Sequence, residues 1–235
     1  MTEQKKKRIW LRYLLIAIMS IIVLTVAFIL PLRWLNPLTT AFIMSDDKVE
    51  SVWAYQRWAA LDEIAPMMQM AVIASEDQKF PDHYGFDFEQ LKKVLLESGG
   101  PSRGASTISQ QLTKNVYLWS GKSLFRKGVE AYLTLFLELL LPKERILEIY
   151  LNVVEFGPGV FGVEHASEKY FQKKPKDLSR VEASLLAAVL PNPKKMLVSK
   201  PSPYVYDRAL DIRFAIRNLG GVNYLNQLKK QTKNK

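Results

Sequence analysis

The sequence contains no cysteine and only two histidines, His83 and His165. A disulfide-stapled scaffold is therefore excluded, and a Cys/His zinc site lacks its ligands. Neither histidine stands in an H-E-x-x-H string. The missing cysteine does not settle the compartment, because it suits an oxidising space without disulfides as well as a reducing one. There is no internal repeat, no low-complexity tract beyond a short basic N-terminus, and no run of strictly alternating apolar and polar residues that would mark half-buried strands. Two strings that suggest chemistry fail on context. "GPGVFG", Gly157 to Gly162, fits G-x-G-x-x-G but follows a helical pattern, where a dinucleotide fingerprint needs a strand. "SDDK", Ser45 to Lys48, is a lone S-x-x-K with no K-T-G to complete a penicillin-binding site.

What is present begins with charge and a long apolar run. Lys5, Lys6, Lys7, Arg8 and Arg12 precede an uncharged stretch from Tyr13 to Leu30. That stretch reaches about 27 Å at roughly 1.5 Å per residue, close to the hydrocarbon thickness of a bilayer. Trp10, Tyr13 and Trp34 would sit at its two interfaces. The run exceeds a signal-peptide core and no small-x-small cleavage site follows it, so an uncleaved anchor is the better reading. The chain then divides into a basic cytoplasmic tail (1–12), a transmembrane helix (13–30), a juxtamembrane connector (31–66) interrupted by Pro31, Pro37 and "SDDK", and one domain (67–235). The positive tail predicts a cytoplasmic N-terminus and a domain on the outer side. The net charge is +10, the tail holds five cations and Glu3, and the rest keeps +6. Outside the membrane that charge points away from nucleic acid and toward anionic lipid heads or a phosphate-bearing substrate; plain solubility would need no such partner.

From Met67 the periodicity is helical in almost every segment, and with 48% apolar residues the chain can build a core. The fold class is mostly α, with "FEQLKKVLLESG" closed by Gly99 and Gly100 and a helix opened by Pro142 at its first turn. "AYLTLFLELLL" is too short to span a bilayer and is expected in the domain core. "VYLWSGKSLF" carries Tyr117, Leu118, Trp119, Leu124 and Phe125 around Gly121, and suits a loop that dips into a membrane interface; a partly buried surface loop is the alternative.

The candidate chemistry starts where the apolar run from Met67 ends on Glu76 and Asp77, followed by Phe80, His83 and Asp87. In "GASTISQQLTKN", Thr107, Gln111 and Lys114 recur at helical spacing, so one face would present a hydroxyl, an amide and a cation. Arg126 and Glu130 are four apart with Lys127 alongside, which on spacing alone reads as a surface salt bridge worth a few tenths of a kcal/mol. Taken together, a carboxylate against an apolar wall can act as acid or base, and Lys114, Arg126 and Lys127 could neutralise a departing anion. Group transfer from a phosphate ester fits both halves.

These stretches, with "EDQKFPDHYGFD", "GASTISQQLTKN", "RKGVE", "KERILEIYLNVVEFGPGVFGVEHASEKYF" and "VEASLLAAVLPNP" in order from Met67 to Pro193, resemble the peptidoglycan glycosyltransferases, most closely the monofunctional biosynthetic transglycosylases. Ser109 stands where the pattern usually has Thr, and His165 where a small residue is commoner. The resemblance implies a lysozyme-like glycosyltransferase domain that polymerises lipid II by inverting transfer and releases undecaprenyl pyrophosphate. It implies Glu76 as general base and Glu130 as its aid on the donor side. Asp77, Phe80, His83, Ser106, Thr107, Gln111, Lys114, Asn115, Arg126 and Lys127 would bind substrate. No tightly held cofactor is implied, though Mg or Mn could accompany the pyrophosphate near Glu130. The partners implied are lipid II, the growing lipid-linked glycan, the bilayer of the bacterial inner membrane, and cell-division or elongation proteins, with the domain periplasmic. A membrane-anchored murein hydrolase and a non-catalytic envelope scaffold are the rival readings. A hydrolase would need a carboxylic acid for the glycosidic oxygen and no basic cluster beside it.

The topology is directly testable. A reporter active only in the cytoplasm, fused after Lys235, is expected to be silent; a signal from it would overturn the outer placement.

Overall fold

The computed structural model describes residues 3–49, 57–96, 106–121 and 123–233. The chain opens with α1 (Glu3–Ile29), which continues into a 3-10 turn at Leu30–Arg33. This helix starts ahead of Tyr13 because the Lys- and Arg-rich tail contains good helix formers and no breaker. Among the described residues it is the one helix long and apolar enough to cross a membrane, and most of its apolar side chains are exposed. After that turn, the described residues of the connector form α2 (Ala41–Met44), whose first turn is capped by the Thr40 hydroxyl accepting from the Ile43 amide, and a 3-10 turn at Leu61–Glu63.

The domain then runs through α3 (Pro66–Glu76), α4 (Phe88–Leu96), α5 (Ile108–Tyr117), α6 (Leu124–Leu140) and α7 (Lys143–Val153). A short antiparallel ribbon follows, β1 (Glu155–Gly157) paired with β2 (Val160–Phe161), then α8 (Val163–Phe171), α9 (Arg180–Val189), α10 (Pro203–Asn218) and α11 (Asn226–Lys233). The mostly α reading holds, but the sequence showed no strand. Strands of three and two residues, buried on nearly every position, leave no alternation to read. Gly162, at φ +79°, turns the chain from the ribbon into α8, and a Cβ there would lie 2.6 Å from the Asn152 carbonyl oxygen. The expected closure of α4 by Gly99 and Gly100 lies outside the described residues. Pro142 stands at the N-cap of α7, one position before the expected first turn.

Packing is organised around α3. Pro66 opens it at N1, and Met68 and Met70 to Ala74 have no exposed surface on any side, as in a helix at the centre of a domain. α9 and α10 pack on it and on each other, and the 3-10 turn at Gly221–Leu225 closes its flank. Burying each large aliphatic side chain contributes about 1.5–3 kcal/mol. A second group is formed by α5 between α6 and α7.

The apolar run of α6 meets its expectation in part: Leu137 and Leu141 are fully buried in the core. Leu135 and Leu139 are exposed, while Glu130, Thr134 and Glu138 point inward. The reason is the polar interior this helix meets: Thr134 donates to the Glu130 carbonyl at 2.7 Å with its oxygen 3.1 Å from the Thr113 hydroxyl, and Glu138 accepts from Lys143 (2.7 Å) and Ser109. α1 runs beside α6, joined by a Thr25–Tyr132 hydroxyl contact of 3.0 Å and by Arg33 donating to the Leu140 carbonyl. Arg145 on α7 secures the start of the connector, donating to the Leu32 and Leu35 carbonyls and to Asn36.

Candidate active site

Two carboxylates end α3, and they are held in different ways. Asp77 is buried with both oxygens engaged: one accepts from the Ile108 amide at 3.0 Å, satisfying a free N–H in the first turn of α5, and the other faces His83 Nε2 at 2.9 Å. His83 Nδ1 accepts from the Gly85 amide, which leaves Nε2 as the proton-bearing nitrogen toward Asp77. Glu76 is only 10% exposed in its side chain but opens to one side. Its Oε2 accepts from Gln111 Nε2 at 2.8 Å, its Oε1 lies 3.4 Å from the Ser75 hydroxyl, and Arg208 Nη2 approaches to 3.5 Å. Burial pushes the Glu76 carboxyl above the ordinary carboxylate range. Gln111, Arg208 and Ser75 pull it partly back, and Asp77 adds to the rise.

A cationic group faces this pair across α5. Glu130 is nearly buried and is bonded by Arg126 (2.7 Å) and by Lys127. Lys127 also reaches the Ser106 hydroxyl at 3.3 Å. This is not the surface pair that spacing alone suggested. The Glu130 side chain is 3% exposed and that of Arg126 11%, and removing one partner of a buried pair costs about 3–5 kcal/mol, against roughly 0.3–0.5 for an exposed one. Lys114 lies over the Phe42 ring at 5.2 Å. Burial lowers its pKa, Glu130 raises it, Arg126 and Lys127 lower it again, and Glu76 raises it. Three cations thus share one near carboxylate, and an anion entering here would find two charges unmatched.

One face of α5 connects both groups. Its first turn meets Asp77, Gln111 meets Glu76 one turn later, and Lys114 follows at the cations. The hydroxyl expected on that face is used otherwise: Thr107 is the N-cap, accepting from the Gln110 amide and donating to the Gly85 carbonyl at 2.7 Å. Gln111 is likewise committed, since its Oε1 accepts from the Tyr150 hydroxyl at 2.9 Å. A cleft of about 110 Å³ opens over Glu76, Asp77, Ser106 and Thr107, with Lys79, Asp87 and Glu89 on its outer wall. A larger hollow of about 640 Å³, between α7 and α11, contains none of these groups.

Several expected contacts need correction. Phe80 is fully buried with Lys143 Nζ 4.4 Å from its ring centre, and it does not line the cleft. Asn115 is also buried and does not line the cleft. His83 braces Asp77. Leu118, expected at the membrane, is buried as the C-cap of α5, and Tyr117 packs on Phe28 of α1 with ring centres 5.1 Å apart. Trp119, Leu124 and Phe125 are exposed, Leu124 to 93%. Three contributors escaped the sequence reading: Ser75, Tyr150 and Arg208. Tyr150 lay inside a recognised stretch but reads as an apolar helix position, and Arg208 lies beyond Pro193 with no local signal.

A family model described as "Transglycosylase" matches residues 46–213. The chain is 47% identical over 226 residues to a "Biosynthetic peptidoglycan transglycosylase" of Pseudomonas fluorescens, covering 92% of this chain and 93% of the relative. It is 46% identical over 226 residues to a protein of the same description from Chromohalobacter salexigens, at 93% and 96% coverage. Another of that description, from Escherichia coli, is 51% identical over 177 residues, at 74% and 73%.

The lifted Glu76 carboxyl has a consequence for stability. Between the ordinary carboxylate range and its raised value, the folded protein binds a proton that the unfolded chain releases, so stability falls as pH rises through that window. Glu76→Gln is expected to melt above the parent at about pH 8, with the gap closing below about pH 4. A variant that melts below the parent at both values contradicts the buried, unfavourably ionised carboxylate.

Proposed function

This chain belongs to the transglycosylase family, and we propose that Glu76 is the base and the Lys114, Arg126 and Lys127 group the anion clamp of its reaction, with lipid II as substrate. The protein is a peptidoglycan glycosyltransferase that polymerises glycan strands. A single N-terminal apolar helix fits a single-pass membrane anchor.

In the proposed step the 4-hydroxyl of an incoming lipid II attacks the anomeric carbon of the lipid-linked glycan. Glu76 takes the hydroxyl proton, the new β-1,4 bond forms, and the bond to pyrophosphate breaks. One in-line displacement converts an α-linked donor to a β product. The leaving pyrophosphate carries its charge into the cationic group, so no dedicated acid is needed. The observation that carries this reading is a buried carboxylate, Glu76, and a cationic cluster with Glu130 as its near carboxylate, joined along one face of α5 by Gln111 and Lys114. Glu130 then orients Arg126 and Lys127. Its two oxygens are already bonded to those cations, and among the described residues no three acidic, His or Cys groups are placed to hold a metal ion. That donor set does not fit a divalent cation at Glu130, and the mechanism takes no step through one.

Exposed Trp119, Leu124 and Phe125, with the bare leucines of α6 beside α1, support contact between this side of the domain and the bilayer. The domain would then work at the outer face of the inner membrane, where division or elongation proteins are the class of partner expected.

The test is polymerisation of lipid II by full-length protein. Glu76→Gln is expected to lower turnover by about 10²- to 10⁴-fold, and Lys114→Met by about 10²-fold or more, each with parental helix content. Near-parental turnover in Glu76→Gln would remove the base assignment and leave Glu130 as the next candidate. Cleavage of finished glycan without polymerisation would favour a hydrolase.

A further inference from the structure

The hydrogen bonds around Glu76 have a direction that fixes a role for a residue outside the proposed chemistry. An ionised carboxylate only accepts, so the Gln111 amide must present its nitrogen to Glu76. Its oxygen then faces the opposite way, where the Tyr150 hydroxyl donates to it at 2.9 Å. The two ends of an amide are nearly equal in size, and packing alone does not stop the group from turning over. A donor fixed on the oxygen side does. Tyr150 is fully buried in α7, and its neighbours leave it little choice of rotamer. Burial first, then the negative charges of Glu76 and Asp77, push its phenol far above the ordinary tyrosine range, so it stays protonated and remains a donor wherever the protein is folded.

We propose that Tyr150 is a positioning residue for the base: by donating to Gln111 Oε1 it locks the amide with its N–H toward Glu76, and so selects the ionised, proton-accepting carboxylate. This rests on the reading of Glu76 as the base. Without the hydroxyl, Gln111 can turn its carbonyl toward Glu76, where it accepts a hydrogen bond from the protonated acid and repels the carboxylate. The base would then be occupied by its own proton over a wider pH range.

Other charged groups also act on Glu76, and the test must separate them. Arg208 reaches it from α10, Lys114 from α5, and Asp77 from the end of its own helix. The 3-10 turn at Gly221–Leu225 contributes Tyr224, whose hydroxyl donates to the Gln78 carbonyl. α9 carries its two charges, Arg180 and Glu182, in its first turn, with Glu182 bonded to Lys173. None of these contacts is removed by changing Tyr150 to Phe, which keeps the ring and deletes only the hydroxyl.

The experiment is the pH profile of kcat/KM for lipid II polymerisation by the full-length protein, for the parent, Tyr150→Phe, Gln111→Met, the double variant and Glu76→Gln. Tyr150→Phe is expected to move the acid limb up by about one pH unit, which is about a tenfold loss on that limb, with near-parental rates at the alkaline plateau. Gln111→Met, which removes the donor itself, should move the limb at least as far. Adding Tyr150→Phe to it should move nothing further, because both act through one amide. A loss that is equal at every pH, or a shift that adds in the double variant, overturns the proposal. An unmoved limb in Gln111→Met overturns it even if Tyr150→Phe does not fold. Glu76→Gln separates the two readings. If it polymerises at the parental rate the base assignment fails as well; if it is inactive while Tyr150→Phe keeps the parental profile, only the role of Tyr150 falls.

Discussion

A carboxylate held out of water at the end of a central helix is the constraint on which the rest depends. Glu76 occupies the last turn of α3, a helix buried on all sides, and desolvation there favours the protonated acid. Left alone, such a group would neutralise itself and accept no proton. The surrounding structure counters this with donors that are neutral or distant: the Gln111 amide at 2.8 Å, the Ser75 hydroxyl at 3.4 Å and the Arg208 guanidinium at 3.5 Å. A tight ion pair would have stabilised the anion so far that it lost its basicity. The neighbouring Asp77 is held differently, by two close partners at 2.9 and 3.0 Å, and has a structural task.

α5 turns this local balance into a two-part site. It starts on Asp77, passes Gln111 at Glu76, and brings Lys114 to the Arg126, Lys127 and Glu130 group on α6. The proposed base and anion clamp therefore have a fixed separation set by the turns of one helix. α6 serves both sides of the same arrangement. Its inward face is polar, with Glu138 held by buried Lys143 and by Ser109, while its outward face is leucine-rich and runs beside α1. The proposed lipid-linked donor would use this inversion, with its charged pyrophosphate inside the site and its prenyl chain among apolar surfaces.

Much of this was legible in the sequence because the signals were local. The long N-terminal apolar helix, the later helices, the Glu76–Asp77 terminus and the Arg126, Lys127 and Glu130 spacing all follow from periodicity and short-range pattern. What stayed hidden was tertiary. Spacing could not tell that the Arg126–Glu130 pair is buried, that Phe80 sits under Lys143, or that the Thr107 hydroxyl is consumed by a helix cap. Arg208 reaches Glu76 from far along the chain, and Tyr150 looked like one more apolar position on α7. The leucines of α6 divide for a physical reason: Leu137 and Leu141 enter the core as expected, while a helix turns Leu135 and Leu139 away from it.

The central claim is that Glu76 is a desolvated carboxylate kept available as a base, and the most direct measurement is its own titration. Difference infrared spectroscopy of the full-length protein, with Glu76→Gln as the reference that identifies the band, follows the carboxyl signal across pH. The account predicts a midpoint above the ordinary glutamate range. A midpoint at or below that range would mean that the carboxylate is held as a stable anion, and would contradict the account.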